Sequence, residues 1–161
     1  ARWCRKAADQ GHIDSQRKLA GMYCEGEGVA QDYDAAARWI RKAADQNCAD
    51  SQYTLGIVYY LGKGIPQDYK KALKWYRKAA DQGHAGAQFN LATSYHHGSG
   101  VSQDDKEAAR CCRKAADQGH AEAQYTLAGM YSKGLGVAQD FKQEARWLCK
   151  AADQGSANAQ R

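Results

Sequence analysis

The sequence predicts an all-α fold, a right-handed α-solenoid built from 36-residue helix–turn–helix repeats. Three observations predict this fold. The tripeptide Ala-Asp-Gln recurs at a constant spacing, glycines interrupt the chain at matching places in each copy, and apolar residues between them are spaced three and four apart. Valine and isoleucine, which favour strands, are scarce.

The constant period divides the chain into copies of one unit. Ala-Asp-Gln begins at Ala8, Ala44, Ala80, Ala116 and Ala152, and each step is 36 residues without insertion or deletion. A single helical hairpin cannot bury its own apolar face, whereas stacked copies bury a continuous core. We therefore expect one repeat array over residues 1–161, made of a partial repeat 1–10, full repeats 11–46, 47–82, 83–118 and 119–154, and a partial repeat 155–161.

The first helix of each repeat is predicted from its shared apolar positions. In the fourth copy Gln124, Leu127, Ala128 and Tyr131 are spaced three and four apart, which places them on one helix face. Acidic residues fall in the first turn, where the helix dipole favours them. Two glycines end each first helix, because glycine tolerates the positive φ of helix ends: Gly26 and Gly28, Gly62 and Gly64, Gly98 and Gly100, Gly134 and Gly136.

The second helix of each repeat is predicted to begin after an aspartate. This residue is a favourable N-cap and occurs at Asp32, Asp68, Asp104 and Asp140. In the last two copies Glu107 and Gln143 stand three residues later, the spacing of a capping box. The helix is expected to stop at Gly83, Gly119 or Gly155, or at Asn47, residue types suited to a left-handed C-terminal cap.

The repeated residues resemble a known family. Ala-x-Ala-Gln-x-x-Leu-Ala/Gly-x-x-Tyr, Gly-x-Gly-Val/Ile-x-Gln-Asp and Ala-x-Trp-x-x-Lys-Ala-Ala-Asp-Gln-Gly are similar to the Sel1-like repeat, a relative of the tetratricopeptide repeat. The resemblance covers essentially the whole chain and implies an α-solenoid that acts as an adaptor between proteins. Three positions depart from the pattern: Cys111 replaces a tryptophan, Asp105 an aromatic residue, and Glu144 interrupts a column of alanines.

Positions that differ between the copies are the candidate binding residues. In related helical repeats the first helices line the concave surface, and Tyr53, Phe89 and Tyr125 occupy one column of that surface at 36-residue intervals. Aromatic side chains give a large contact area at a small cost in rotamer entropy. The predicted peptide- or protein-binding groove therefore comprises Tyr53, Ile57, Tyr60, Phe89, Thr93, His96 and Tyr125. The alternative is that the aromatic column packs between neighbouring repeats.

The basic residues of the second helices indicate an alternative function, weak binding of nucleic acid or of an anionic surface. Arg38-Trp39, Lys74-Trp75 and Arg146-Trp147 set cations beside aromatic rings, a pattern found in surfaces that bind nucleic acid or anionic lipid. The net charge of +5 permits such a partner. The simpler interpretation is a solvated convex face, with tryptophans in the core and cations paired to acids four residues on, as for Arg41 and Asp45.

The sequence predicts no enzyme, no cofactor and no metal site. The six cysteines do not recur at one paired spacing and include no Cys-x-x-Cys, so free thiols are expected rather than disulfides or a zinc site. His12, His84 and His120 follow the boundary between repeats, which indicates turn or cap residues. His96 and His97 end a first helix near the groove without an accompanying acid at a repeated spacing.

The sequence also leads to expectations about the location of the chain and its self-association. No apolar run is long enough to cross a bilayer, so we expect a soluble chain, cytoplasmic unless an export signal was removed. The chain begins inside a second helix at Ala1 and stops just into a first helix at Arg161. Without polar terminal repeats, both ends are expected to expose apolar surface and to associate end to end.

Overall fold

The computed structural model describes residues 2–153, and these residues form nine α-helices and no strand. The helices are α1 Arg2–Asp9, α2 Ile13–Glu25, α3 Tyr33–Asp45, α4 Ala49–Leu61, α5 Tyr69–Asp81, α6 Ala85–His97, α7 Asp105–Asp117, α8 Ala121–Lys133 and α9 Phe141–Asp153. The predicted all-α helical-repeat class is confirmed. The apolar ends expected at residues 1 and 155–161 lie outside the described residues.

The chain divides into two compact units, an N-terminal unit up to Gln82 and a C-terminal unit from Gly83 onward. In the N-terminal unit α2 packs on α3 and α4 packs on α5, while α1 packs on α2. In the C-terminal unit α6 packs on α7 and α8 packs on α9. Within each unit the helices therefore pair as first and second helix of one repeat. The expectation of one continuous array over 1–161 stays a prediction.

A Gln-Asp pair connects the two helices of a repeat. Gln67 Nε2 donates to the Tyr60 carbonyl at 2.7 Å and so satisfies a backbone oxygen at the end of α4. The next residue, Asp68, is the N-cap of α5, and its Oδ1 accepts from the Lys71 N–H at 2.9 Å. The same Asp contact begins α3 and α7, as predicted.

The predicted capping box at Glu107 is wrong. The Glu107 Oε2 accepts from Arg110 Nε at 2.8 Å, one turn further along the same helix. This hydrogen bond and the positive charge of Arg110 hold the pKa of the Glu107 carboxyl below its usual range. Glu107 thus pairs with a cation of α7 while Asp104 alone caps the helix.

The histidines at the repeat boundaries are N-caps, as predicted. The Nδ1 atoms of His84 and His120 accept from the N–H groups of Ala87 and Ala123 at 3.1 and 3.3 Å. His12 occupies the same position before α2 without a side-chain bond. Asn47 has a φ of 65°, which confirms that it replaces the glycine of the other copies at a left-handed position.

In the second and fourth copies the second glycine of the Gly-x-Gly pair lies where two repeats meet. Gly64 and Gly136 have φ values of 74° and 66°. A Cβ atom at Gly64 would lie 2.2 Å from the Tyr33 carbonyl, and one at Gly136 would lie 1.8 Å from the Asp105 carbonyl oxygen. These turns therefore require glycine both for the backbone conformation and for the close approach to the preceding repeat.

The core combines leucines with a repeated glutamine contact. Leu19, Leu55, Leu91 and Leu127 are buried, as expected for a shared apolar column. Gln52 is buried beside them; its Nε2 donates to the Ala44 carbonyl at 3.3 Å, and its Oε1 accepts from Gln82 Nε2 at 2.7 Å. The last residue of the recurring Ala-Asp-Gln is thus a glutamine that hydrogen-bonds the buried glutamine of the first helix in the same repeat. Gln118 makes the same contact with Gln88.

Candidate functional site

The C-terminal unit contains a cavity of about 610 Å³. Four of the seven predicted groove residues line it: Phe89, Thr93, His96 and Tyr125. The cavity also has lining residues from α7 and α9, so it extends beyond the first helices to which the sequence analysis assigned the groove.

Small residues create the space of this cavity. Ala92, Ala108, Ala128 and Gly129 lie in its wall, and a Cβ atom added at Gly129 would meet no atom within 4 Å. In the second copy the position of Gly129 holds Ile57, so the same helix surface carries a large side chain there. The glycine therefore leaves open a space in the C-terminal unit that an isoleucine side chain would occupy.

The aromatic column has two different environments in this unit. Phe89 stacks on the ring of His120, with centroids 5.0 Å apart, so it packs partly on the start of the next repeat. Tyr125 is 41% exposed. Phe89 therefore fits in part the alternative that the aromatic column packs between neighbouring repeats. Tyr125 remains open to solvent at the cavity.

The other three predicted residues belong to the N-terminal unit. The ring centroids of Tyr53 on α4 and Tyr76 on α5 lie 6.1 Å apart. Ile57 is half-buried one turn after Tyr53 on α4. Tyr60 packs on Tyr69 with ring centroids 5.1 Å apart, an aromatic pair that joins the end of α4 to the start of α5.

His96 has the acidic partner that the sequence analysis did not find. Its Nδ1 lies 2.6 Å from Oδ1 of Asp105, and both side chains are partly exposed. His96 and Asp105 occupy the repeat positions of Tyr60 and Tyr69, so a polar pair replaces an aromatic pair at the corresponding place. In the sequence, His96 and Asp105 are two separate replacements of tyrosines found in the preceding copy. Only the structure shows that the two replacements contact each other.

Glu144 is a charged lining residue that sequence reasoning did not assign to the site. Its column holds Ala36, Ala72 and Ala108 in the other copies, and all three are buried. Glu144 is half-buried on α9. Within residues 2–153 no basic side chain lies within ion-pair distance of its carboxylate. The sequence analysis noted this departure only as an interruption of the alanines.

Several cations of the second helices have partners within the protein. Arg41 donates to the hydroxyl of Tyr59 rather than pairing with Asp45, which corrects the expected contact four residues on. Lys42 lies over the ring of Trp39 at 4.1 Å. Lys78 and Lys150 lie over Trp75 and Trp147 at 4.2 Å. These contacts give no specific support to the nucleic-acid alternative.

The tryptophans are not all core residues. Trp75 and Trp147 are buried, whereas Trp3 is 78% exposed on α1. Helix α1 packs mainly on α2, and this contact leaves the Trp3 side chain exposed. The expectation that the tryptophans are core residues is therefore wrong at Trp3.

The thiols do not form a reactive centre. All six cysteines are free in the structure. Burial raises the pKa of the Cys111 thiol to about 11, with a further rise from the nearby Glu107 carboxylate. Burial raises the pKa of Cys112 to about 12, and its Sγ donates to the Ala123 carbonyl at 3.2 Å. Both buried thiols are thus protonated near neutral pH and act as packing groups.

In the part of the chain that the structure describes, no group of histidine, cysteine and acidic side chains has a metal-binding arrangement. No helix between residues 2 and 153 is long and apolar enough to span a bilayer.

Comparison with known proteins identifies the repeat. The Sel1 repeat matches residues 1–12, 13–48, 49–84, 85–120 and 121–156. The chain belongs to the Sel1 repeat family. Its matched repeats begin at the first helices, two residues after the boundaries used in the sequence analysis (13 against 11). Sel1 repeat proteins are generally non-enzymatic helical scaffolds for protein–protein interaction, which is the coarse role assigned from the sequence.

Solved structures of Sel1 repeat proteins share this fold. A Sel1 repeat protein from Oxalobacter formigenes is 35% identical with a TM-score of 0.91, and the match covers 98% of this chain and 63% of that protein. A protective antigen of uropathogenic Escherichia coli with an SLR fold is 32% identical with a TM-score of 0.62, over 99% of this chain and 42% of the antigen. The chain thus spans less than two thirds of either relative.

A more distant structure shows the fold alone. Cysteine rich protein B of Helicobacter pylori is 22% identical with a TM-score of 0.65, over 80% of this chain and 92% of that protein. No curated protein is similar enough to the chain to be matched with it.

Proposed function

We propose that this Sel1 repeat chain is a non-enzymatic scaffold that binds a protein or peptide segment on the concave side of its first helices. The observation that carries the proposal is the cavity of about 610 Å³, which Phe89, Thr93, His96 and Tyr125 line. Cavities of this size with aromatic walls and a few polar groups are typical of ligand sites. In the N-terminal unit the corresponding proposed residues are Tyr53, Ile57 and Tyr60.

The mechanism is recognition by a surface formed before the partner binds. The cavity wall is built from helices whose ends are held by side-chain caps, so little of the protein needs to be ordered on binding. Tyr125 and Phe89 supply aromatic contact area, and the half-exposed His96 supplies a polar group at the edge. An apolar side chain of the partner would fill the space beside Gly129.

The experiment tests the cavity with a substitution that the repeat itself tolerates. Peptides are selected on the wild-type chain from a phage-displayed library of random linear peptides, and their affinities are then measured for Gly129→Ile. The added side chain would enter open space, and the second copy already holds an isoleucine, Ile57, at the corresponding position. We expect the variant to keep its helical circular dichroism and to lose binding by about tenfold or more.

Gly21→Ile is the matched control. Gly21 occupies the same repeat position in the N-terminal unit, and a Cβ atom there also meets no atom within 4 Å. Peptides held in the cavity should bind this variant as they bind the wild type. Selected peptides that bind the wild type and Gly129→Ile equally well would refute the cavity as the binding site.

A further inference from the structure

We infer that the ligand segment held in the cavity of the C-terminal unit carries a basic side chain, an arginine or a lysine, which pairs with Glu144. This inference rests on the proposed function, because it names the chemistry of the ligand for that same cavity. It is carried by the position of Glu144, by the aromatic side chains that line the same cavity, and by the partners of the other charged groups around it.

The copies of the repeat show that Glu144 is not required by the fold. At its position Ala36, Ala72 and Ala108 are 3%, 1% and 1% exposed, so the packing of a second helix on a first helix uses an alanine there. A carboxylate at such a site loses part of its hydration. A basic group of the ligand would offset this lost hydration, because ion pairs strengthen as water is excluded.

The aromatic residues of the cavity favour the same ligand. Tyr125 is 41% exposed and lines the cavity together with Glu144. A guanidinium or ammonium group over an aromatic face gains a cation–π attraction, and a guanidinium can at the same time donate two hydrogen bonds to a carboxylate. The protein already uses this contact internally, where Lys150 lies 4.2 Å from the centre of the Trp147 ring.

The other charged groups do not reverse this preference. His96 is held 2.6 Å from Asp105, so a proton on its ring is balanced by a carboxylate. His97 packs against His96 with centroids 4.9 Å apart and is exposed to solvent. Lys133 lies exposed on the last turn of α8, where water screens its charge. Glu144 is therefore the half-buried charge of the cavity, and it has no basic partner among the described residues.

The test compares peptides and variants that differ only in charge. Peptides are selected from the random library on the wild-type chain, and those blocked by Gly129→Ile are sequenced. Each is then synthesised with every arginine replaced in turn by citrulline, or every lysine by norleucine, and its Kd is measured for the wild type, Glu144→Gln and Glu122→Gln. Glu122 is an exposed acid of α8, outside the cavity lining, and serves as the control.

We expect one basic position to recur in the blocked peptides. Its neutral replacement should weaken binding to the wild type and to Glu122→Gln by about tenfold or more, the loss expected for a hydrogen bond between charged groups, and should leave binding to Glu144→Gln nearly unchanged.

Two outcomes would overturn the inference. If blocked peptides lack a recurring basic residue, or if its neutral replacement weakens binding to Glu144→Gln as much as to the wild type, the cavity binds peptides without this ion pair, and the proposed function stands. If no selected peptide is blocked by Gly129→Ile, the cavity is not the binding site, and the proposed function fails together with the inference. Circular dichroism of each variant establishes that it is folded before its affinity is read.

Discussion

Gly136→Ala tests whether the close approach between repeats, rather than turn conformation alone, requires the second glycine of Gly-x-Gly. A Cβ atom at this position would lie 1.8 Å from the Asp105 carbonyl oxygen, and that oxygen belongs to backbone that cannot rotate away. The φ of 66° costs an alanine about 1 to 2 kcal/mol. Displacement of packed backbone adds about 1 to 3 kcal/mol, so we expect a total loss near 3 kcal/mol in the free energy of unfolding.

The first glycine of the same turn separates the two effects. Gly134 has a φ of 68°, yet a Cβ atom there would come no closer than 3.6 Å to its neighbours. Gly134→Ala should therefore lose only the conformational part, about 1 to 2 kcal/mol. Urea unfolding followed by far-ultraviolet circular dichroism measures both variants. Equal losses, within about 0.5 kcal/mol, would show that the contact with Asp105 relaxes freely and that our reading of this turn is wrong.

Three further changes test the core and the thiols. Gln52→Ala should lower the free energy of unfolding by about 1 to 3 kcal/mol, because the Ala44 carbonyl and Gln82 both lose a buried partner. Gly56→Ala should cost about 1 to 3 kcal/mol, since its Cβ atom would lie 2.5 Å from the ring of Tyr76; an unchanged urea midpoint would contradict this. A thiol reagent at pH near 7 should label the exposed Cys149 rapidly and Cys112 only on unfolding. Burial both covers the Cys112 thiol and raises its pKa to about 12, so its labelling in the folded protein should stay slow near neutral pH.

The order of the helices and most of their ends were predictable from the sequence. Asp104 and Asp140 cap their helices through local hydrogen bonds, and His84 and His120 do the same. These contacts join residues two or three apart, so residue type and spacing carry the information. The contact of Glu107 was missed because the same side chain can reach either the helix start or Arg110, and the sequence does not rank the two.

The candidate site was predictable only in part. Comparing the copies found Phe89, Thr93, His96 and Tyr125, because variable positions on a shared helix face can be read from the period. It also found Glu144 as a departure, but not its place in a cavity wall.

The repeat, the helices and the columns of residues on each helix face can be read from the sequence alone, because these depend on interactions within one period of 36 residues. The tertiary structure alone decided which columns of different helices meet. The pairing of His96 with Asp105 and the space beside Gly129 depend on how α6 packs on α7 and how α8 packs on α9. Helix packing is set by the sum of many weak contacts across an interface, so no single spacing in the sequence specifies it.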